Sequence, residues 1–263
     1  MKKQILLLTT FFSVTCFTYA QELEPTEQTN NEEQSTLEYQ DKKNIAKLSL
    51  TSLVFRNFQF QYERVLNKTF SVALSYGTIP EGGIPFGSSF VDEDEDDDLS
   101  NIVNDGKMSY SSFTPEVRIY TGKKGYGKGF YLAPFFRASK YTFKNVNFSY
   151  DADGGGTETL TTSGTIKGST FGLLLGSQFN LGSNLVLDWW IAGPHIGSSN
   201  GNLKGVSSRI LSQNEQDALL ETLQDTDIPL VDTEYKVSEN GAEIDLDGPW
   251  AGVRAGLSIG YRF

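Results

Sequence analysis

The chain has 263 residues, with 18 Phe, 12 Tyr, 3 Trp and 26 Gly but only 1 Cys, 1 His and 2 Met. One Cys and one His exclude a Cys/His zinc site, a haem site and a disulfide framework, and no cofactor is expected. A formal net charge of -11 opposes nucleic-acid binding, which needs a positive surface. A mean hydropathy of -0.32 excludes a helical membrane protein, while abundant aromatics and glycine point to β structure.

The N-terminus opens Met1-Lys2-Lys3, continues apolar from Ile5 to Thr18 and ends Thr18-Tyr19-Ala20. A basic start, an apolar run and small residues before the cut read as a secretory signal peptide, residues 1–20. The run is short against the roughly 20 apolar residues of a spanning helix. Ser13-Val14-Thr15-Cys16 makes a poor lipidation site, and cleavage after Ala20 would remove the only cysteine. Residues 21–43 follow as an acidic periplasmic leader, with seven carboxylates and almost nothing apolar in 21–42. Such a segment buries too little surface to offset its ordering entropy and is expected to be disordered.

From residue 44 the pattern alternates with period two, and it recurs to the end of the chain. The first strand is expected over Ile45–Phe55, with Leu48, Leu50 and Val54 on one face. The second sets Phe58, Phe60 and Tyr62 against Gln59, Gln61 and Glu63, and the third sets Phe70, Val72, Leu74 and Tyr76 against small residues. Further strands carry Phe113, Val117 and Ile119, then Phe130, Leu132 and Phe136, then Phe171, Leu173 and Leu175. The last two carry Leu185, Leu187 and Trp189, and Val253, Leu257, Ile259, Tyr261 and Phe263.

The connections at 66–69, 121–129 and 180–183 are short, whereas those at 80–110, 144–166 and 197–248 are long. An even strand count with short turns at one end and long loops at the other predicts an all-β fold. The expected form is an eight-stranded antiparallel up-and-down transmembrane β-barrel over residues 44–263. Both termini would then lie in the periplasm and the long loops outside. Alternation does not say which face is inside, so a soluble exported barrel holding an apolar ligand is the alternative. Charges of both signs on the polar face (Glu63, Glu116, Arg118, Arg137, Asp188, Arg254) favour the membrane form, because they can pair in a narrow lumen. Glu63, Glu116, Arg118 and Arg137 are the expected lumen charge network. Pro115, Pro134 and Pro194 fall inside predicted strands, where bulges or strand ends are expected.

Leu257, Ile259, Tyr261 and the terminal Phe263 share one face. This resembles the C-terminal signal that the barrel assembly machinery reads in outer-membrane proteins. Asn57–Ser75, Gly129–Ser139 and Pro249–Phe263 are similar to an uncharacterised family of small Gram-negative outer-membrane barrels. The resemblance implies an eight-stranded barrel and brings no activity or catalytic residues.

Within the loops, Asp92, Glu93, Asp94, Glu95, Asp96, Asp97 and Asp98 form an unbroken acidic run. Clustered oxygens can hold divalent cations and bridge to lipopolysaccharide; the plainer reading is a solvated acidic loop. Asp151-Ala152-Asp153-Gly154 is a poor calcium-loop match, since Thr162 stands where a closing Glu is needed. Ser212-Gln213-Asn214-Glu215 reads as a capping box opening a short helix in the last outer loop. His195, with Ser198 and Ser199 behind it, is the one constellation that suggests a lipid-modifying serine hydrolase. No Gly-x-Ser-x-Gly elbow accompanies it, and parity with Trp189 and Ile191 makes His195 an interfacial residue. The expected role is non-enzymatic, structural or surface-interacting.

Overall fold

The computed structural model describes residues 42–83, 105–122, 125–151, 157–225 and 230–263. The expected signal peptide, most of the expected acidic leader, the run Asp92–Asp98 and most of the calcium-like loop lie outside these residues.

Among the described residues, nine strands form one antiparallel sheet: β1 (Asn44–Ser49), β2 (Phe58–Val65), β3 (Phe70–Gly83), β4 (Lys107–Tyr120), β5 (Gly129–Asp151), β6 (Thr157–Leu181), β7 (Leu185–Ser207), β8 (Asp232–Ser238) and β9 (Gly241–Arg262). Helices α1 (Leu50–Val54) and α2 (Gln213–Asp225) interrupt the meander. Sequential strands pair up to β7, β7 pairs β9, and β9 closes onto β1. Eight strands therefore make the ring. The seam is held at the terminus itself, where Phe263 N donates to Asn44 O at 2.8 Å and Asn44 N to Phe263 O at 3.0 Å.

Along β2 the polar members Gln59, Gln61 and Glu63 are buried, while Phe58, Phe60 and Tyr62 are exposed. The same inversion holds along β3, where Ser71 and Ser75 are buried and Phe70, Val72, Leu74 and Tyr76 are exposed. Period-two side chains must face opposite ways, and here the polar half lies inside.

The first strand is shorter than expected. It ends at Ser49, whose Oγ accepts from Ser52 N at 3.3 Å and caps α1. Thr51 Oγ1 then accepts from Leu257 N at 3.2 Å, fastening α1 to β9. The serine and threonine hydroxyls offer the backbone a partner that alternation does not reveal.

Two predicted long loops are largely strand. β5 and β6 continue to Asp151 and from Thr157, and β7 and β9 run to Ser207 and from Gly241, so these four strands have 22–25 residues. A membrane strand needs about 9–11 residues, so half of each projects beyond the apolar band. Both faces of the projection are largely polar, which removes the alternation signal. β8 adds a further strand beside β9, joined by a tight hairpin in which Ser238 pairs with Gly241. On this sheet the Asn202 amide and the Lys236 ammonium, 2.7 and 2.9 Å away, hold the Asp245 carboxyl below its usual range. The expected helix is present: Ser212 Oγ accepts from Glu215 N at 3.4 Å while Glu215 Oε2 accepts from Ser212 N at 2.8 Å.

Pro115, Pro134 and Pro194 lie within strands, on the outward face. No ladder pair of β4 with β5 falls between Phe113↔Ala138 and Glu116↔Phe135, beside Pro115, nor between the latter and Ile119↔Leu132, beside Pro134. Pro194 follows a bulge, where the β7–β9 register shifts between Trp190 and Gly193.

Candidate functional site in the barrel lumen

All eight ring strands send a polar side chain into one buried cluster. Lys47 (β1) donates to Glu63 Oε2 (β2) at 2.5 Å, Gln178 Oε1 (β6) at 2.5 Å and Asp188 Oδ2 (β7) at 2.7 Å. Arg118 (β4) uses Nη1 for Asp188 Oδ2 at 2.7 Å and Glu63 Oε2 at 3.1 Å, Nε for Glu116 Oε1 at 2.6 Å and Nη2 for Gln61 Oε1 at 2.8 Å. Ser71 (β3) and Tyr120 donate to Glu63 Oε1 at 2.6 and 2.7 Å. Tyr131 (β5) donates to Asp188 Oδ1 at 2.8 Å, and Arg254 (β9) to Glu116 Oε2 at 2.9 Å.

Three carboxylates thus meet three cations, Lys47, Arg118 and Arg254. Lys47, Arg118, Glu63 and Asp188 have side chains at 0% exposure, so bulk water screens none of these pairs. Burial of this kind costs several kcal/mol per ion and is tolerable only where every charge finds partners, as Glu63 and Asp188 do. Below the cluster, residues 125–128, which lead into β5, close against the lumen. Arg262 donates to Tyr126 O at 2.9 Å and Gly127 O at 3.1 Å, and Gln178 Nε2 to Gly127 O at 2.6 Å. Tyr126 packs there on buried Ile45, Val65 and Val186.

Of the four residues expected to form the network, Glu63, Glu116 and Arg118 meet. Arg137 stands apart: its Nη2 donates to Tyr110 OH at 2.6 Å. Alternation places Asp188 and Arg254 on the polar face of their strands, and Lys47 opposite Leu48, without choosing them for the network. It gives no reason to single out Gln178, Tyr120 and Tyr131, whose shared inward parity is the available signal.

Tyr131 also shows how aromatic rings fit the lumen. It lies opposite Gly176 on β6, where an added Cβ would come within 2.3 Å of the tyrosine ring. Gly176→Val is expected to destabilise the folded barrel by about 1–3 kcal/mol, read as a lower urea midpoint in micelles. An unchanged midpoint would show that the ring has room to move.

The bulge on β7 decides the place of His195. Before it the even residues Val186, Asp188 and Trp190 are buried; after it Gly193 is buried and His195 turns inward, its ring 5.9 Å from the buried Phe135. The expected interfacial position is therefore overturned. Ser198 is exposed on the opposite face, and Ser199 Oγ donates to Gly248 O at 3.3 Å. His195 and Ser198 do not form a nucleophile–base pair.

Leu257 is half-buried, while Ile259, Tyr261 and Phe263 stand exposed along the closing seam. With Phe58, Phe60, Tyr62, Phe70, Val72, Leu74, Phe113, Val117, Phe171 and Val253 they belong to an apolar outer surface around the ring. A closed sheet with this surface outside and ion pairs inside is a transmembrane β-barrel. No protein-family model matches the chain, and no curated protein matches it in sequence. Among solved structures it is similar to Ail, the attachment invasion locus protein of Yersinia pestis, at 15% identity and a TM-score of 0.27, covering 84% of this chain and 97% of that one. It is similar to a major outer membrane protein of Thermus thermophilus at 12% identity and a TM-score of 0.36, covering 84% and 98%. The outer membrane protease OmpT of Escherichia coli follows at 10% identity and a TM-score of 0.32, covering 84% and 92%.

Proposed function

We propose that this chain is an outer-membrane barrel protein with a non-enzymatic role, sealed across its lumen and holding a polar sheet outside the membrane for surface interaction. The inverted polarity of the ring carries this reading. A soluble barrel carrying an apolar ligand would need the opposite arrangement, and its lumen is instead occupied by Lys47, Glu63, Arg118 and Asp188. A general diffusion pore is disfavoured for the same reason: eight strands leave an interior that side chains fill. A hydrolase built on His195 and Ser198 lacks the geometry. In this reading residues 1–20 are the signal peptide, residues 21–43 the periplasmic leader, and Leu257, Ile259, Tyr261 and Phe263 the segment presented to the barrel assembly machinery. The projecting sheet meets lipopolysaccharide, with divalent cations at Asp92–Asp98 as bridging partners. The sequence resemblance to small Gram-negative outer-membrane barrels agrees with it.

The test is fractionation of cells producing the full chain. The protein is expected in the outer-membrane fraction, migrating faster on gels when unboiled than when boiled. External protease should cut the projecting sheet on whole cells. Recovery in the soluble periplasmic fraction, with no change of mobility on heating, would overturn the proposal.

A further inference from the structure

The ion cluster leaves one edge of one guanidinium unused. Arg254 Nη1 is committed to Glu116, but Nε and Nη2, the two donors of its side-on fork, meet no hydrogen-bond acceptor among the described residues. The side chain is only 2% exposed. The guanidinium carbon lies over the Phe135 and Trp190 rings, 4.7 Å from each centroid. The two unused donors lie side by side on one edge of the guanidinium, opposite no acceptor among the described residues. That geometry suits a planar bidentate acceptor.

Two further groups converge on the same place. His195 packs edge-on against Phe135, and its Nδ1 is buried with no partner among the described residues. The ring is set there by Gly252, its cross-strand neighbour, where an added Cβ would lie 2.8 Å from Nε2. Arg137 is the next inward residue of β5 after Phe135 and has a tyrosine hydroxyl as its partner. This level therefore carries more positive charge than Glu116 can balance, and buried charge is stable only when completed by an opposite one. Toward the outer mouth the wall turns aromatic: Tyr141 lies 4.7 Å from Tyr110 and 5.6 Å from Trp250.

We propose that the upper lumen binds an organic carboxylate with a flat apolar body. The carboxylate accepts from Nε and Nη2 of Arg254 beside His195 and Arg137, and the body lies against Tyr141 and Trp250. This site shares Arg254 with the ion cluster beneath it, and needs neither a catalytic step nor a pore.

Isothermal titration of the full chain, folded in detergent micelles, with sodium benzoate tests the assignment. Benzoate is expected to give saturable heats and to bind more tightly than acetate or inorganic phosphate. Arg254→Lys keeps a cation for Glu116 but loses the fork, and should raise the Kd for benzoate by about tenfold or more. Arg137→Gln should weaken binding by a smaller factor, and Lys167→Gln, on the exposed outer face of β6, should leave it unchanged. Each variant is first checked for the folded barrel by its mobility without boiling. A folded barrel with no saturable benzoate heat, or with equal affinity before and after Arg254→Lys, overturns the site and leaves the membrane reading intact. Tighter binding of phosphate than of benzoate would overturn the carboxylate assignment. If Arg254→Lys does not fold, Arg137→Gln and His195→Gln decide, and unchanged affinity in both overturns the proposal.

Discussion

Replacing Arg118 with leucine is expected to lower the unfolding free energy by about 3–5 kcal/mol, because it strands buried carboxylates that no water can reach. Arg118 bridges Glu63, Glu116 and Asp188 and also holds Gln61 and Gln178. Without it Lys47 and Arg254 face three carboxylates between them. Arg118→Lys restores the charge but supplies one compact ammonium where the guanidinium reached all of these acceptors, so an intermediate loss is expected. Adding Glu116→Gln to Arg118→Leu should recover part of the loss by removing one stranded charge. Urea titrations of the barrel in lipid vesicles measure all three. A loss below about 1 kcal/mol for Arg118→Leu would mean that water reaches the cluster and screens it.

Leu74→Arg is the second large effect, and it separates the membrane barrel from a soluble one. Leu74 is 49% exposed near the middle of the apolar run of β3, between Val72 and Tyr76. At the centre of a bilayer an outward-facing arginine on a barrel strand costs about 2–4 kcal/mol. On the surface of a soluble barrel the same exchange would stay within about 0.5 kcal/mol. The measurement is unfolding in vesicles, with Lys140→Arg on the polar part of β5 as a neutral control. A Leu74→Arg variant as stable as the parent would remove the case for a lipid-facing band.

How far the chain can be read before folding depends on the segment. Where one face is apolar, as in Phe58–Val65 or Leu257–Phe263, each side chain's face follows from its parity, and the structure agrees. Where both faces are polar the periodicity vanishes. The projecting halves of β5, β6, β7 and β9 therefore read as loops in the sequence, and β8 leaves no signal there. The short helix between β7 and β8 is legible because Ser212 and Glu215 bond locally, three residues apart. α1 is not, because its cap Ser49 sits inside an alternating run. His195 is assigned to the wrong face because one extra residue at the β7 bulge reverses the parity of everything beyond it.

The lumen cluster divides in the same way. That Glu63, Glu116, Arg118, Asp188 and Arg254 would share the polar face follows from alternation within their own strands. Which of them touch does not. Lys47 meets Asp188 across 141 positions of sequence, and Arg254 meets Glu116 across 138. Such contacts depend on the register of every strand between them and on the closure of β9 onto β1. By itself, the sequence determined the strands with an apolar face, the capped helix and the pairing of polar with apolar sides. Tertiary structure alone decided that the polar side is the inside, that Arg137 stands apart, and that Arg254 keeps a free edge beside His195. The physical reason is that period two is a property of each strand, whereas inside and outside exist only once the ring has closed.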